Sequence, residues 1–384
     1  MNTFLPPGVV RALGQRQLDA LCESFPSYFV TDPKAIGLAM ERGSNCIGEI
    51  LDREIPEELL THALASVKND PKFEFTGHLL YAAFMAGYRA EQTSLAFYGK
   101  SHPDLFKTGM YISLFTNLLD GLLDEAPDHL SDADLQFVSE QLTLQAWWDR
   151  AKIPGIPIYP DRHPVAEVLL RTMTQVISMI LGAAGWRKDT SIQTALKTAI
   201  RKSFDSEHRS VELRLSATHL TLNGSLEQEL QAKSIMPATM GLLLPVCFNG
   251  WPVGVSRAGL ERLGVHMGIL GGWLDDLADI QEDLHNEFWS NVLLEVYHSF
   301  PEAIRNNGWQ VPLLEQGLTQ MGIQSKLIHK GLVYFENILS CIEDLDLPEP
   351  DYLYSCIANK ATIFLGNTEI LKRQLGSIPI FAFS

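Results

Sequence analysis

Gly271-Gly272-Trp273-Leu274-Asp275-Asp276-Leu277-Ala278-Asp279-Ile280-Gln281-Glu282-Asp283 is the stretch on which the reading of this chain turns. Trp273, Leu274, Leu277 and Ile280 recur at helical spacing, and the same period sets Asp275, Asp279 and Asp283 every four residues. On an α-helix that spacing drifts only slightly around the axis, so the three carboxylates form one line about two turns long. Asp276 is expected to point elsewhere. Up the same helix lie Gly268, Gly271 and Gly272, although a mid-helix glycine costs about 1 kcal/mol relative to alanine. Small residues above a carboxylate line imply that something comes close to the backbone there, either a ligand or a tightly packed helix.

A second acidic helix is expected further upstream. Between Met110 and Glu125 most residues are apolar, whereas Ser113, Asn117, Asp120 and Asp124 follow steps of four, three and four along one stripe. Two aspartates on one turn repel each other unless a cation lies between them. Clustered carboxylates suit hard cations such as Mg²⁺, which binds protein through a few oxygens and completes its shell with water and phosphate oxygens. Two acidic helices therefore imply a magnesium-bridged anionic substrate.

Around these segments the chain reads as all-α. Period-3.6 patterns recur throughout, without a convincing run of two-residue alternation. Helices are expected over about 34–52, 56–68, 76–98, 104–125, 131–150, 163–185, 190–220, 225–247, 256–286, 287–306, 311–343 and 350–375. Proline and glycine clusters such as Pro154-Gly155-Ile156-Pro157, Asn249-Gly250-Trp251-Pro252 and Leu347-Pro348-Glu349-Pro350 separate them. No Gly/Ser-rich tether and no repeat of solenoid length is found, so one large bundle is the economical reading. The expected division is an N-terminal helical extension over 1–70 and a main α-domain over 71–384.

The 384 residues are 46% hydrophobic and 20% charged, enough for a large core and far from disordered compositions. A net charge of −16 opposes a general grip on nucleic acid or anionic lipid. The uncharged run 234–256 is interrupted by Pro237, Pro245 and Pro252, and reads as a buried helix followed by a turn rather than a membrane span. Five scattered cysteines without a Cys-x-x-Cys pair argue against a disulfide framework or a zinc site. With no visible targeting segment, a cytoplasmic location is expected, and a homodimer is compatible with the sequence.

The motifs resemble those of the class I isoprenoid synthase superfamily, which includes trans-prenyl diphosphate synthases and class I terpene synthases. Asp120-Gly121-Leu122-Leu123-Asp124 resembles the first aspartate-rich motif, with glycine at its second position. Asp275-Asp276-Leu277-Ala278-Asp279 matches the second, and with Asp283 it also resembles the cyclases' metal triad. Lys233-Ser234 resembles the Lys-Thr pair that holds diphosphate, 42 residues before Asp275 as is usual in that family. Together these cover about residues 75–300.

The resemblance implies a helical bundle around a central active-site cavity. It implies Mg²⁺, three ions per diphosphate with Mn²⁺ as a substitute, on Asp120, Asp124, Asp275, Asp279 and Asp283. Lys233 would grip a prenyl diphosphate, helped by Arg209 and Arg214. A dry pocket for the allylic cation would draw on Phe84, Phe115, Trp147, Trp148 and Trp273, because aromatic faces stabilise cations.

The chain departs from the elongating enzymes in two places. Glu125-Ala126-Pro127-Asp128-His129 stands where an arginine pair follows the first motif, and Gly77-His78-Leu79 is the nearest match to an upstream Gly-Lys-Arg segment. The expectation is therefore a terpene synthase that ionises one prenyl diphosphate, with condensation of two prenyl units, or a non-catalytic helical subunit, as alternatives. A di-iron bundle is a further rival through Glu282-x-x-His285 and Glu295-x-x-His298, but 13 residues of separation cannot place them level on two antiparallel helices.

Overall fold

In a computed structural model, the described residues are 7–29, 38, 41–43, 77–120, 131–138, 162–183, 190–210, 215, 224–307, 309–319 and 321–366. The regular elements among them are all α-helices: α1 (Pro7–Ser24), α2 (Gly77–Tyr98), α3 (Leu105–Asp120), α4 (Asp132–Gln136), α5 (Pro164–Leu181), α6 (Thr190–Ser210) and α7 (Gly224–Asn249). They continue with α8 (Arg257–Asn286), α9 (Asn291–Ser299), α10 (Pro301–Asn307), α11 (Val311–Thr319), α12 (Met321–Asp344) and α13 (Asp351–Leu365). No strand occurs among the described residues.

Two expected helices resolve into pairs. The span 287–306 divides into α9 and α10 at Ser299–Phe300, and 311–343 divides into α11 and α12. Helix α1 falls in the expected N-terminal helical extension but ahead of its first expected helix: its buried line runs through Leu13, Gln17 and Leu21, and the glutamine in its centre weakens the apolar period. The Gln17 side chain instead donates to the Ile328 carbonyl at 3.3 Å. The helices expected over 34–52 and 56–68, and the division near residue 70, lie largely or wholly outside the described residues. The run 234–256 is the end of α7 followed by a turn with Gly250 and Gly254 at φ 83° and 81°, conformations that favour glycine. Among the described residues no helix is long and apolar enough to cross a membrane.

The chain forms two units, one of residues 1–31, 208–239 and 254–370, the other of 32–207, 240–253 and 371–384. In the second unit α2 and α3 approach through reciprocal glycines. A Cβ at Gly87 would lie 2.8 Å from the Phe106 carbonyl oxygen, and one at Gly109 would lie 2.8 Å from the Ala90 Cβ. Phe84, Phe106, Met110 and Phe115 are buried beside this seam. Arg162, almost wholly enclosed, donates to Asp134 at 2.8 Å and to Glu167 at 2.5 Å and ties the start of α4 to that of α5.

The first unit is organised around α8, which packs on α1, α9, α12 and α13. Ser256 caps its N-terminus by accepting from the Gly259 N–H at 3.0 Å, and Glu287 ends it in the left-handed conformation. Along one face Gly264, Gly268 and Gly272 meet α7. Added Cβ atoms there would fall 2.6 Å from Thr239 Oγ1, 2.4 Å from Ile235 Cα and 2.4 Å from Ser234 Oγ. Residue numbers rise on α8 as they fall on α7, so the two helices run antiparallel and touch almost backbone to backbone.

A second tie joins α7, α9 and α12. Lys330 bonds the Glu295 carboxylate and lies 3.4 Å from Glu227, while Lys326 lies 2.9 Å from the other Glu295 oxygen. The Lys330 ammonium also lies 5.7 Å from the centre of the buried Trp273 ring, within cation–π reach. Burial alone would raise the Glu295 carboxyl, but its bonds from Lys330 and Lys326 outweigh this and hold it below the ordinary glutamate value. This pairing leaves Glu295 to lysines and His298 exposed, which disposes of the Glu-x-x-His motif as a metal site.

Two outcomes follow from this packing. Gly268→Ala should lower thermal stability by about 1–3 kcal/mol, because the Ile235 backbone cannot yield as a side chain can. Gly322→Ala on α12, where an added Cβ meets nothing within 4 Å, should be neutral or stabilising by up to about 1 kcal/mol. Equal melting temperatures for the two variants would contradict the close seam. Glu295→Gln should cost about 1–3 kcal/mol near neutral pH by leaving the half-buried Lys330 ammonium short of a carboxylate. Since the folded-state value is depressed, that contribution is complete above the unfolded value and is lost as pH falls through the folded one. Urea unfolding of both proteins between about pH 7 and about pH 3 should show the gap closing on the acid side; a constant gap would count against the pairing.

Candidate functional site

The glycine seam does more than join two helices. One turn beyond Gly272 on the same face comes Asp276, and Lys233 directly precedes Ser234, the residue that touches Gly272. The close approach therefore delivers an ammonium group to the carboxylates of α8. Lys233 lowers the proton affinity of both Asp276 and Asp283.

Asp276 and Asp283 are seven residues apart, two turns, and so occupy nearly the same angle around the helix. Asp276 leaves the line of Asp275 and Asp279, as expected, but it turns toward Lys233 rather than away from the cluster. Its Oδ2 accepts from the Asn291 backbone N–H at 2.7 Å and from the Asn291 side-chain amide at 2.8 Å. A carboxylate thus caps the first N–H of α9, where the helix dipole favours negative charge. The left-handed turn at Glu287, with the Phe288 N–H bonded to the Asp283 carbonyl at 2.8 Å, returns the chain so that Ser290 and Asn291 reach back to α8.

The electrostatics of the group are unbalanced. Burial pushes the Asp276 carboxyl up to about 7; the neighbouring Asp275 charge adds to this, and the Asn291 bonds and Lys233 oppose it. Burial likewise drives Asp283 well above the ordinary value, with the Asp276 charge adding and the Ser290 hydroxyl and Lys233 opposing. Asp283 Oδ2 is buried without a hydrogen-bond partner. Asp275 is exposed and Asp276, Asp279 and Asp283 are half-buried, so the cluster opens at Asp275. The partnerless Asp283 Oδ2 and the exposed Asp275 carboxylate are oxygen donors of the kind that fit a hard divalent cation. Among the described residues, however, no three acidic, histidine or cysteine side chains converge on one point well enough to hold a metal by themselves.

The remaining expected residues divide. Arg209 is exposed and donates to Glu229 at 2.9 Å. Trp273 is buried edge-on to Tyr334, with ring centres 5.8 Å apart, and its indole Nε1 has no hydrogen-bond partner. Phe84 and Phe115 are core residues of the other unit. Asp120 is the last residue of α3, and its side chain lies outside the described residues, as do Asp124, Trp147, Trp148 and Arg214. Ser290 and Asn291 were not anticipated. Their only signal in sequence is a Ser-Asn pair opening an apolar run, which reads as a helix cap and nothing more.

No family model matches the chain, and no curated protein matches it. Solved structures do. A geranylgeranyl pyrophosphate synthetase from the archaeon Geoglobus acetivorans is similar with a TM-score of 0.55 at 14% identity, over 87% of this chain and 98% of that one. A geranylgeranyl pyrophosphate synthase from Lactobacillus brevis is similar at 0.54 and 12%, over 90% and 99%. A heptaprenyl diphosphate synthase from Staphylococcus aureus is similar at 0.53 and 11%, over 87% and 98%. With its helices, its carboxylate line on α8 and this likeness along nearly the whole length of those enzymes, the chain has the all-helical isoprenoid synthase fold of the trans-prenyl diphosphate synthases.

Proposed function

We propose that this protein acts on prenyl diphosphates, ionising an allylic diphosphate and transferring its prenyl group to a second isoprenoid diphosphate. The observation that carries the reading is Lys233 set beside the α8 carboxylates, with Asp283 Oδ2 buried and lacking a partner. The similar solved structures are synthases of prenyl diphosphates, which favours transfer over the cyclisation expected from sequence.

Lys233 supplies a fixed positive charge whose interaction with the diphosphate strengthens as the leaving group gains charge. Asp275, Asp279 and Asp283 would hold divalent cations, and Asp120 and Asp124 are the proposed carboxylates of the other acidic motif. Magnesium, when bound, neutralises the departing diphosphate as a Lewis acid. Among the described residues no three such side chains converge, so water and, when present, diphosphate oxygens would complete each cation's shell. Asp276 takes a different part: by capping α9 it fixes Ser290, which in turn orients Asp283. Arg209 and Arg214 would lend charge to the same anion, Arg209 only after leaving Glu229.

A second reading, single-substrate terpene synthesis, rests on Glu125-Ala126-Pro127-Asp128-His129, where an arginine pair would serve the second diphosphate. Purified protein given allylic diphosphates of increasing length, with and without isopentenyl diphosphate, separates the two. A longer prenyl diphosphate formed only when isopentenyl diphosphate is present supports transfer. A hydrocarbon or alcohol from the allylic substrate alone supports the second reading, and no Mg²⁺-dependent release of diphosphate under either condition refutes both. Lys233→Ala should lower kcat by about two orders of magnitude or more while leaving the melting temperature close to wild type. Lys233→Arg should recover only part, because a planar guanidinium replaces a compact charge. Unchanged kinetics in Lys233→Ala would remove Lys233 from the site.

A further inference from the structure

The α8 helix carries two parallel stripes, and only one of them faces Lys233. Gly264, Gly268, Gly272 and Asp276 look toward α7, whereas Gly271, Asp275 and Asp279 form the adjacent stripe. A Cβ built at Gly271 would lie 2.6 Å from Lys360 Nζ and 3.8 Å from Lys360 Cε, and nothing else comes within 4 Å. Lys360 belongs to α13, is half-buried, and has its ammonium 5.0 Å from the centre of the Phe364 ring on its own helix. Its charged end therefore rests on the bare backbone of α8 at Gly271.

Helical side chains lean toward the N-terminus and cover the turn before their own Cα. Asp275, four positions on, lies on the same stripe of α8 and leans toward that turn. The missing side chain at 271 thus leaves the Lys360 ammonium on α8 one helical turn from Asp275. We propose that Lys360 is a positioning residue for Asp275, holding its carboxylate against α8 in the cation-free protein and competing with a divalent cation for it. The proposal rests on the reading above that the α8 carboxylates take divalent cations. It gives the two adjacent aspartates separate counter-charges on separate helices, Asp276 with Lys233 of α7 and Asp275 with Lys360 of α13.

The direction of the effect distinguishes competition from a purely structural role. Removing a lysine that merely packs α13 on α8 would leave cation affinity unchanged or reduce it, whereas removing a competitor raises it. Mn²⁺ binding to the full-length protein, followed by electron paramagnetic resonance without substrate, should tighten at least about threefold in Lys360→Gln, as expected when a like charge leaves a carboxylate site. Gly271→Ala should do the same without touching the lysine, because its methyl group displaces Nζ and meets no other atom closely. Lys360→Arg should stay close to wild type. In Asp275→Asn the Lys360→Gln substitution should have no further effect on Mn²⁺.

Unchanged or weaker Mn²⁺ binding in both Lys360→Gln and Gly271→Ala overturns the proposal and leaves the proposed function standing. Wild-type protein that takes up no Mn²⁺ instead overturns the metal reading, and the pairing is then decided by melting temperatures. Shifts for Lys360→Gln and Asp275→Asn that fall short of additivity in the double variant uphold the pairing, and additive shifts overturn it.

Discussion

The near contact of α7 and α8 is the constraint on which the candidate site depends. Two helices ordinarily pack with axes 8–10 Å apart, a spacing set by the side chains between them. Gly264, Gly268 and Gly272 remove those side chains along one seam, and Ser234 and Ile235 settle onto the α8 backbone. The conformational cost of three mid-helix glycines, about 1 kcal/mol each, is tolerated because nothing larger fits. What the seam achieves is placement: Lys233 is carried into the field of Asp276 and Asp283.

Charge is then distributed around α8 by its neighbours. Glu295 and Glu227 are matched by Lys326 and Lys330, and that set is a structural tie with its opposite charges balanced. The aspartate cluster is different in kind. The Asp276 and Asp283 carboxyls are raised by burial and by neighbouring aspartates, and one oxygen of Asp283 is left without a partner. In the proposed function a cation and an anionic substrate would complete that cluster. The acidity of the whole chain, a net charge of −16, is compatible with an anionic substrate on the same terms.

Some of this was legible in the sequence. The Asp275, Asp279 and Asp283 spacing, the Lys233 offset and the period of the long helices are local patterns, and α7, α8, α12 and α13 carry them. Helix α1 was not legible, because Gln17 occupies the centre of its buried line and finds its partner on α12, 311 residues away. The apolar period did not register the breaks within 287–306 and 311–343, although Pro301 marks the first of them.

The glycines of α8 show where the division falls. The sequence by itself determined that something must approach that helix closely, since three or four small residues above a carboxylate line are costly without such a reason. It also determined the helical class, which depends only on spacing along one chain. Only the tertiary structure decided what approaches: the backbone of α7 at Gly268 and Gly272, and the ammonium of Lys360 at Gly271. It likewise decided that Asp276 caps α9 through Asn291. These partners come from segments distant in the chain, and a helix's own periodicity holds no information about which neighbour will face each of its stripes.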